Sequence, residues 1–286
     1  MAAAMPAPRA SDLVLIHAAV LLFGFAGLFG KWLALPPVAI VLGRTIVAAL
    51  ALAALALARG RAAGPTRLLA ANGVVLAIHW TAFFEAIAAS SVAIGLVGYA
   101  TFPLFVLALE RWLLGRRWSG AEAATAALVA TGLVVLVPSL DPGDATLRGL
   151  AWGVLSGFTF AVLAVRSRAL AQTHLPLDVA LWQNAFAALV LLPVAWLGPD
   201  ALPALTARDV ALVLVLGLAC TALAHTLFIA SVRRLSAHTA SIVAALEPVY
   251  GTALALVLLR EVPTGRTLVG GALIMIAALL ATRRAV

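Results

Sequence analysis

From Asp12 onward the chain is a series of apolar runs, broken only by short segments rich in Pro, Gly, Arg and Asp. Ten runs stand out: 12–30, 38–58, 68–88, 91–113, 119–137, 147–170, 177–197, 209–232, 238–260 and 264–282. A helix needs ~20 residues to cross a bilayer, and each run is long enough. The breaks include "RGRAAGPTR", "GRRWSG", "PSLDPGDATLR" and "REVPTGR". Hydrophobic residues make up 64% of the 286, and charged residues only 10%. A soluble domain covers itself with roughly 25% charged residues. Lipid is therefore the solvent for most of this chain. Unpaired backbone groups are costly in hydrocarbon, so the runs should be helices. No succession of segments alternates with period two, as a barrel would require. The expected fold is an all-α polytopic membrane protein with ten transmembrane helices.

The first run is longer than the core of a signal peptide, and no clear small-residue cleavage pattern follows before Lys31. It reads as an uncleaved first helix. Basic residues punctuate the ends of the runs instead of gathering on one soluble surface. That argues against a nucleic-acid partner despite the net charge of +8. With a cytoplasmic N-terminus, thirteen arginines fall at inside ends: Arg9, Arg59, Arg61, Arg67, Arg111, Arg116, Arg117, Arg166, Arg168, Arg233, Arg234, Arg283 and Arg284. Five basic residues fall outside: Lys31, Arg148, Arg208, Arg260 and Arg266. The bias places both termini in the cytoplasm of an inner-membrane protein. Trp32, Trp112, Trp118 and Trp196 lie at span ends and read as interfacial anchors. The single cysteine, Cys220, excludes an intramolecular disulfide and reads as a small core residue.

A shift of 145 residues lays "PLFVLALERWLLGRRWSG" (Pro103–Gly120) on "PVYGTALALVLLREVPTG" (Pro248–Gly265) without gaps, with six of 18 positions identical. Phe83 aligns with Phe228, and the "GF" at Gly24 resembles the "GF" at Gly157. Five spans separate the copies. Five is odd, so the second copy crosses upside down. The expected organisation is 5+5: a first repeat at 1–137, a loop at 138–146 and a second repeat at 147–286. Inverted repeats are characteristic of secondary transporters, with the site near the midplane between halves.

Candidate site residues follow from depth. Glu247 lies in mid-span, where a charged carboxylate costs ~2.5–3.5 kcal/mol even on lenient scales. It either binds substrate or protons, or serves as a paired or neutral structural acid. Pro248 follows it, and Pro103 is its repeat mate. Each removes a helical donor, and both read as hinges on cavity-lining helices, or as simple kinks. His79 and His225 also lie near mid-span. Neither belongs to a metal-ligand spacing, so no metal is expected. They are pathway groups or buried hydrogen-bonding residues. The aromatic residues Phe25, Phe83, Tyr99, Phe102, Phe158, Phe228 and Tyr250 lie near the midplane, as pocket wall or as ordinary packing. Arg44 enters span two from the outer face. An ion pair with Glu85 or snorkelling is the simpler expectation, and a carboxylate-binding arginine near the outer mouth is the alternative. Glycine rows at Gly24, Gly27 and Gly30 and at Gly149, Gly153 and Gly157 mark close helix packing.

The run "AALEPVYGTALALVLLREVPTGRTLVGGALI" resembles the last two helices of the EamA family, in the drug/metabolite transporter superfamily. Pro248, Val249 and Tyr250 match its Pro–aliphatic–aromatic segment. Glu261 matches an acidic position, with Arg260 where Gly is usual, and Gly270 or Gly271 matches a later glycine. In the first copy Pro103 matches, but Arg116 stands where an acid is common. The resemblance implies a basket in which helices 1, 3, 4, 6, 8 and 9 surround a cavity, braced by 2, 5, 7 and 10. The aromatic centre is similar to the YddG-like exporters of aromatic and other amino acids. The resulting expectation is secondary or facilitative export of small metabolites, amino acids foremost, by alternating access. A permease for amphipathic cations is the alternative within transport. A membrane-embedded enzyme is the alternative of another class, disfavoured because ionisable groups are sparse and scattered. No phosphate-binding loop is present, so no ATPase subunit and no cofactor are expected.

Overall fold

The computed structural model describes residues 10–60, 64–114, 119–197, 204–235 and 243–282. The described residues are helical throughout, with no strand among them. The helices are α1 Ala10–Ala26, α2 Phe29–Trp32, α3 Pro37–Ala58, α4 Arg67–Ala89, α5 Val92–Tyr99, α6 Phe102–Leu114 and α7 Gly120–Leu136. They continue with α8 Ala145–Thr173, α9 Pro176–Leu197, α10 Ala207–Gly217, a π-helical turn Leu218–Leu223, and α11 Ala224–Arg234. The last are α12 Glu247–Leu258 and α13 Gly265–Thr282. Seven spans are long and apolar enough to cross a membrane, and Gly120–Leu136, Glu247–Leu258 and Gly265–Leu280 are shorter apolar helices. Side chains such as Leu57, Val134 and Leu189 are largely exposed, as a lipid-facing surface requires. The protein is a multi-pass membrane protein. Arg9, Arg61, Arg116, Arg117, Arg283, Arg284 and Trp118 lie outside the described residues, as does the first part of the ninth run.

Helix starts follow local chemistry. Thr66, Ser91, Ser119, Asp144 and Thr206 each accept a backbone N–H from the first turn that follows. Ser119 and Glu122 form a reciprocal capping box, and Glu122 also pairs with Arg111.

The two prolines sit differently from the sequence expectation. The fourth span is interrupted at Ala100–Thr101, and Pro103 is the second residue of α6. The ninth is interrupted by a turn at Ala245–Leu246, and Pro248 is the second residue of α12. Each proline thus begins a helix, where its missing N–H has no intrahelical partner to lose. The interruption comes before the proline, not at an unpaired carbonyl in mid-helix.

Glycines of other helices cover these interruptions. A Cβ on Gly157 would lie 2.8 Å from the Tyr99 carbonyl oxygen and 3.3 Å from the Phe102 nitrogen. A Cβ on Gly24 would lie 2.8 Å from the Gly251 nitrogen and 3.1 Å from the Glu247 carbonyl oxygen. So α8 presses on the break between α5 and α6, and α1 presses on the start of α12. The same two "GF" pairs that resemble each other in sequence make these contacts. Further contacts complete the bundle: α1 against α11, α4 against α8 and α9, α3 against α9, and α7 against α13.

Glu261 accepts the N–H of Val92 at 3.2 Å and of Ala93 at 3.0 Å, capping α5 from the loop after α12. Arg260, beside it, has φ 55°, the left-handed region that favours glycine.

Two outcomes follow. Arg260→Gly should raise stability by up to about 1 kcal/mol by relieving the left-handed strain, whereas Glu261→Ala should lower it by about 1 kcal/mol through loss of the cap. Thermal unfolding in detergent measures both. Gly24→Val should cost roughly 1–3 kcal/mol by overpacking. Gly64→Val should cost far less, because nothing lies within 4 Å of that Cβ.

Candidate substrate cavity

A cavity opens where the interrupted helices meet their neighbours. Its empty volume is about 630 Å³, including the open mouth. The wall is mostly apolar and aromatic, with Phe23, Trp80, Phe83, Phe160 and Phe228 among its residues. Phe160 is central to this packing: its ring centroid lies 5.2 Å from that of Tyr99, 5.3 Å from His79 and 6.1 Å from Phe228.

Four ionisable groups and one phenol enter the same space: Arg44, His79, His225, Glu247 and Tyr99. All are less than a tenth exposed. Glu247, in the first turn of α12, projects from the interrupted end of the ninth span. Tyr99, the last residue of α5, enters the same cavity, so the facing ends of the two interrupted helices both line it.

His79 Nδ1 lies 2.9 Å from the Ser156 carbonyl oxygen and 3.1 Å from the Ser156 hydroxyl. A carbonyl only accepts, so the hydrogen belongs on Nδ1, and Nε2 of the neutral ring is left as an acceptor. His225 Nδ1 lies 3.4 Å from the Asn184 side-chain nitrogen. Behind the wall, Gln183 donates to Ser167, a lining residue, at 3.1 Å. No group of three or more His, Cys, Asp or Glu able to hold a metal occurs among the described residues.

Arg44 departs from the snorkelling expectation. It is 1% exposed and lies against the cavity. Nε donates to the Thr221 hydroxyl at 2.9 Å and Nη2 to the Cys220 carbonyl at 3.3 Å. The guanidinium carbon sits 3.9 Å from the Trp80 ring centroid. Such a cation–π contact is worth about 2 kcal/mol when desolvated. The π-helical turn supplies the acceptors. Thr221 donates to the Leu216 carbonyl five residues back, at 2.7 Å. Gly217 just before it lets α3 approach, since a Cβ there would lie 2.5 Å from Val47. π-helical turns of this kind are frequent at functional sites.

Six sequence candidates therefore line the cavity: His79, Phe83, Tyr99, His225, Phe228 and Glu247. Four do not. Phe25 packs edge-on against Phe29 and Trp32 along α1 and α2. Phe102 stacks behind Tyr99, centroids 5.3 Å apart. Phe158 is 40% exposed and meets Phe105 on the outer surface. The Tyr250 hydroxyl binds His17 Nδ1 at 2.9 Å. Sequence reasoning missed Trp80, Phe23, Phe160 and Ser167, and it placed Arg44 at the outer mouth. The lining comes from the first, third, fourth, sixth, eighth and ninth spans, with Arg44 as the contribution of the second.

Comparison with known proteins agrees with this architecture. A solved crystal structure matches with a TM-score of 0.69, covering 96% of this chain and 99% of the other at 23% identity. An uncharacterized transporter of Archaeoglobus fulgidus is 25% identical over 227 residues, 77% of each chain. The pseudopaline exporter CntI of Pseudomonas aeruginosa is 26% identical over 219 residues, 76% of this chain and 75% of that one. The model of the EamA-like transporter family matches twice, over residues 11–137 and 147–283. These two matches take in nearly the whole chain, which belongs to the EamA-like transporter family and is a membrane transporter, not an enzyme.

Proposed function

We propose that the protein exports small metabolites, amino acids foremost and aromatic and other neutral ones among them, by alternating access through the central cavity. The observation that carries this reading is the cavity itself. It combines flat apolar walls with a buried carboxylate, a buried guanidinium and two imidazoles. An amphipathic metabolite with a charged head and an apolar side chain presents the complementary chemistry. The export direction is supported by the relative named as an exporter. Secondary or facilitative transport of this kind needs no ATPase subunit, cofactor or nucleic acid, only the bilayer and the substrate.

The architecture proposed for this cycle has ten spans in two inverted halves, 1–137 and 147–286, joined by 138–146. Two lines of support exist. The family model matches one stretch in each half. The packing also keeps its pattern when the halves are exchanged. The first span contacts the eighth and ninth, as the sixth contacts the third and fourth. A two-fold axis in the membrane plane produces this reciprocity. The hinges would be the interruptions that precede Pro103 and Pro248, since the hydrogen-bond ladder is already broken there. The basic-residue bias supports cytoplasmic termini and an inner-membrane location.

Reporter fusions at residues 62, 140 and 200 should read inside, outside and outside. An outside signal at 62 would refute this topology. Purified protein in liposomes should carry neutral amino acids in a panel run with and without a pH gradient, and absence of flux across that panel would reject the amino-acid reading. Glu247→Gln keeps shape and hydrogen bonding but removes charge and titration. Flux should drop several-fold or lose its pH dependence while the fold persists. Wild-type rates and pH profile in this variant would make Glu247 a structural acid.

A further inference from the structure

Arg44 is a cation in the protein interior with no ion pair among the described residues, where the pair found is Arg111 with Glu122. Its two protein hydrogen bonds both go to neutral acceptors, the Thr221 hydroxyl and the Cys220 carbonyl. These use one hydrogen of Nε and one of Nη2. A guanidinium carries five N–H groups in a fixed fork. Nη1 and the second hydrogen of Nη2 have no protein acceptor among the described residues, although the side chain is 1% exposed and lies against the cavity. The acid in the same cavity, Glu247, makes no ion pair with it. A buried guanidinium and a buried carboxyl group that share one void without touching leave the void to be bridged by something else.

We propose that Arg44 is the receptor for a substrate carboxylate, and that with Glu247 it defines the two polar poles of a zwitterion site. This deepens the amino-acid reading above and rests on it for the ammonium pole only. The geometry favours a carboxylate over other anions. The free edge of a guanidinium donates two parallel N–H bonds, which suits the two oxygens of a carboxylate. The fork is fixed by Thr221 and Cys220 on one edge and by the Trp80 face beneath it, so little side-chain freedom is lost on binding. A ligand held by its carboxylate here lies beside Phe83, Phe160 and Phe228, which supply apolar contact for its side chain. Its ammonium group then faces Glu247. The π-helical turn gains a role from this arrangement, since the Thr221 hydroxyl and the Cys220 carbonyl that orient the arginine both belong to it.

The test measures binding to wild-type protein in nanodiscs by intrinsic tryptophan fluorescence, with Trp80→Phe to identify the local signal. The probes are L-phenylalanine, L-phenylalaninamide, phenethylamine and hydrocinnamate. Wild type should bind L-phenylalanine at least about tenfold more tightly than its amide, because a site built for hydrogen bonds rejects a ligand that lacks the partner. Hydrocinnamate should bind and phenethylamine should bind weakly. Arg44→Gln should bind acid and amide alike, and Arg44→Lys should retain part of the preference. Equal wild-type affinity for acid and amide would overturn the proposal, as would failure of both carboxylates to bind, or an acid preference that survives Arg44→Gln. If Arg44→Gln fails to fold, the wild-type acid-to-amide ratio decides alone. Flux separates the two readings. Acid-selective binding without L-phenylalanine flux would sink amino-acid export and leave Arg44 standing. Equal flux of acid and amide would do the reverse.

Discussion

Each interruption of a helix at membrane depth exposes backbone groups that hydrocarbon cannot satisfy. Here the interruptions are sealed by backbone from another helix, and glycine is what permits the approach. Gly157 brings α8 onto the Tyr99 carbonyl, and Gly24 brings α1 onto the start of α12. A side chain at either glycine would push the helices apart, because its Cβ would lie 2.8 Å from the facing backbone. Lipid would then reach the unpaired groups, and the ends of α5 and α12 would lose their positions. The cavity depends on those ends, because Tyr99 and Glu247 stand at them. Packing, polar satisfaction and site geometry are therefore one constraint seen three ways.

The ionisable groups of the cavity share a second constraint. Each is desolvated, and each is held by a few neutral partners: His79 by Ser156, His225 by Asn184, Arg44 by Thr221 and the Cys220 carbonyl. Neutral partners orient a group without cancelling its charge. A salt bridge would do the opposite, fixing both charges against each other and removing them from use. The ion pair found among the described residues, Arg111 with Glu122, lies at a capping box away from the residues that line the cavity.

How much of this was legible in the sequence depended on the dimension of the signal. Span positions are a one-dimensional property of apolar length, and the described helices fall on the ten runs closely. Depth is likewise one-dimensional, and it found Glu247, His79 and His225. The azimuth of a residue around its helix is not carried by a sequence that is apolar on every face. Phe158 and Phe160 lie two residues apart at the same depth, yet one faces outward and the other fills the cavity. Arg44 was misplaced for a different reason. Its distance from the span end suggested snorkelling, but its partners come from a π-helical turn in a distant segment, "LACTAL", which has no sequence mark. The prolines were legible as interruptions but not as helix starts, because that requires knowing where the preceding turn falls. Arg260 shows the converse. The family's glycine pointed to a position whose left-handed backbone only the structure reveals.

The antiparallel pair of α5 and α12 then constrains how the cavity opens. α5 is eight residues long, about 12 Å. At its end Tyr99 lines the cavity together with Glu247, the first residue of α12. At its start its free N–H groups meet Glu261, three residues past the end of α12. Lys31 adds a bond from the end of α2 to the Ser90 carbonyl, at 2.8 Å, beside the same start. Between these ends, Gly251 of α12 leaves room for Leu96 of α5. Two short helices tied at one end and interlocked along their length move as one body. Their motion must release Glu261 or bend the chain at the turns Ala100–Thr101 and Ala245–Leu246. Bending there strains turn bonds such as Thr101 N–H to Gly98 and Leu246 N–H to Val243, whereas releasing Glu261 exposes two helix-start N–H groups. The turns are therefore the softer coordinate, and the sealing contacts of Gly24 and Gly157 lie on either side of them.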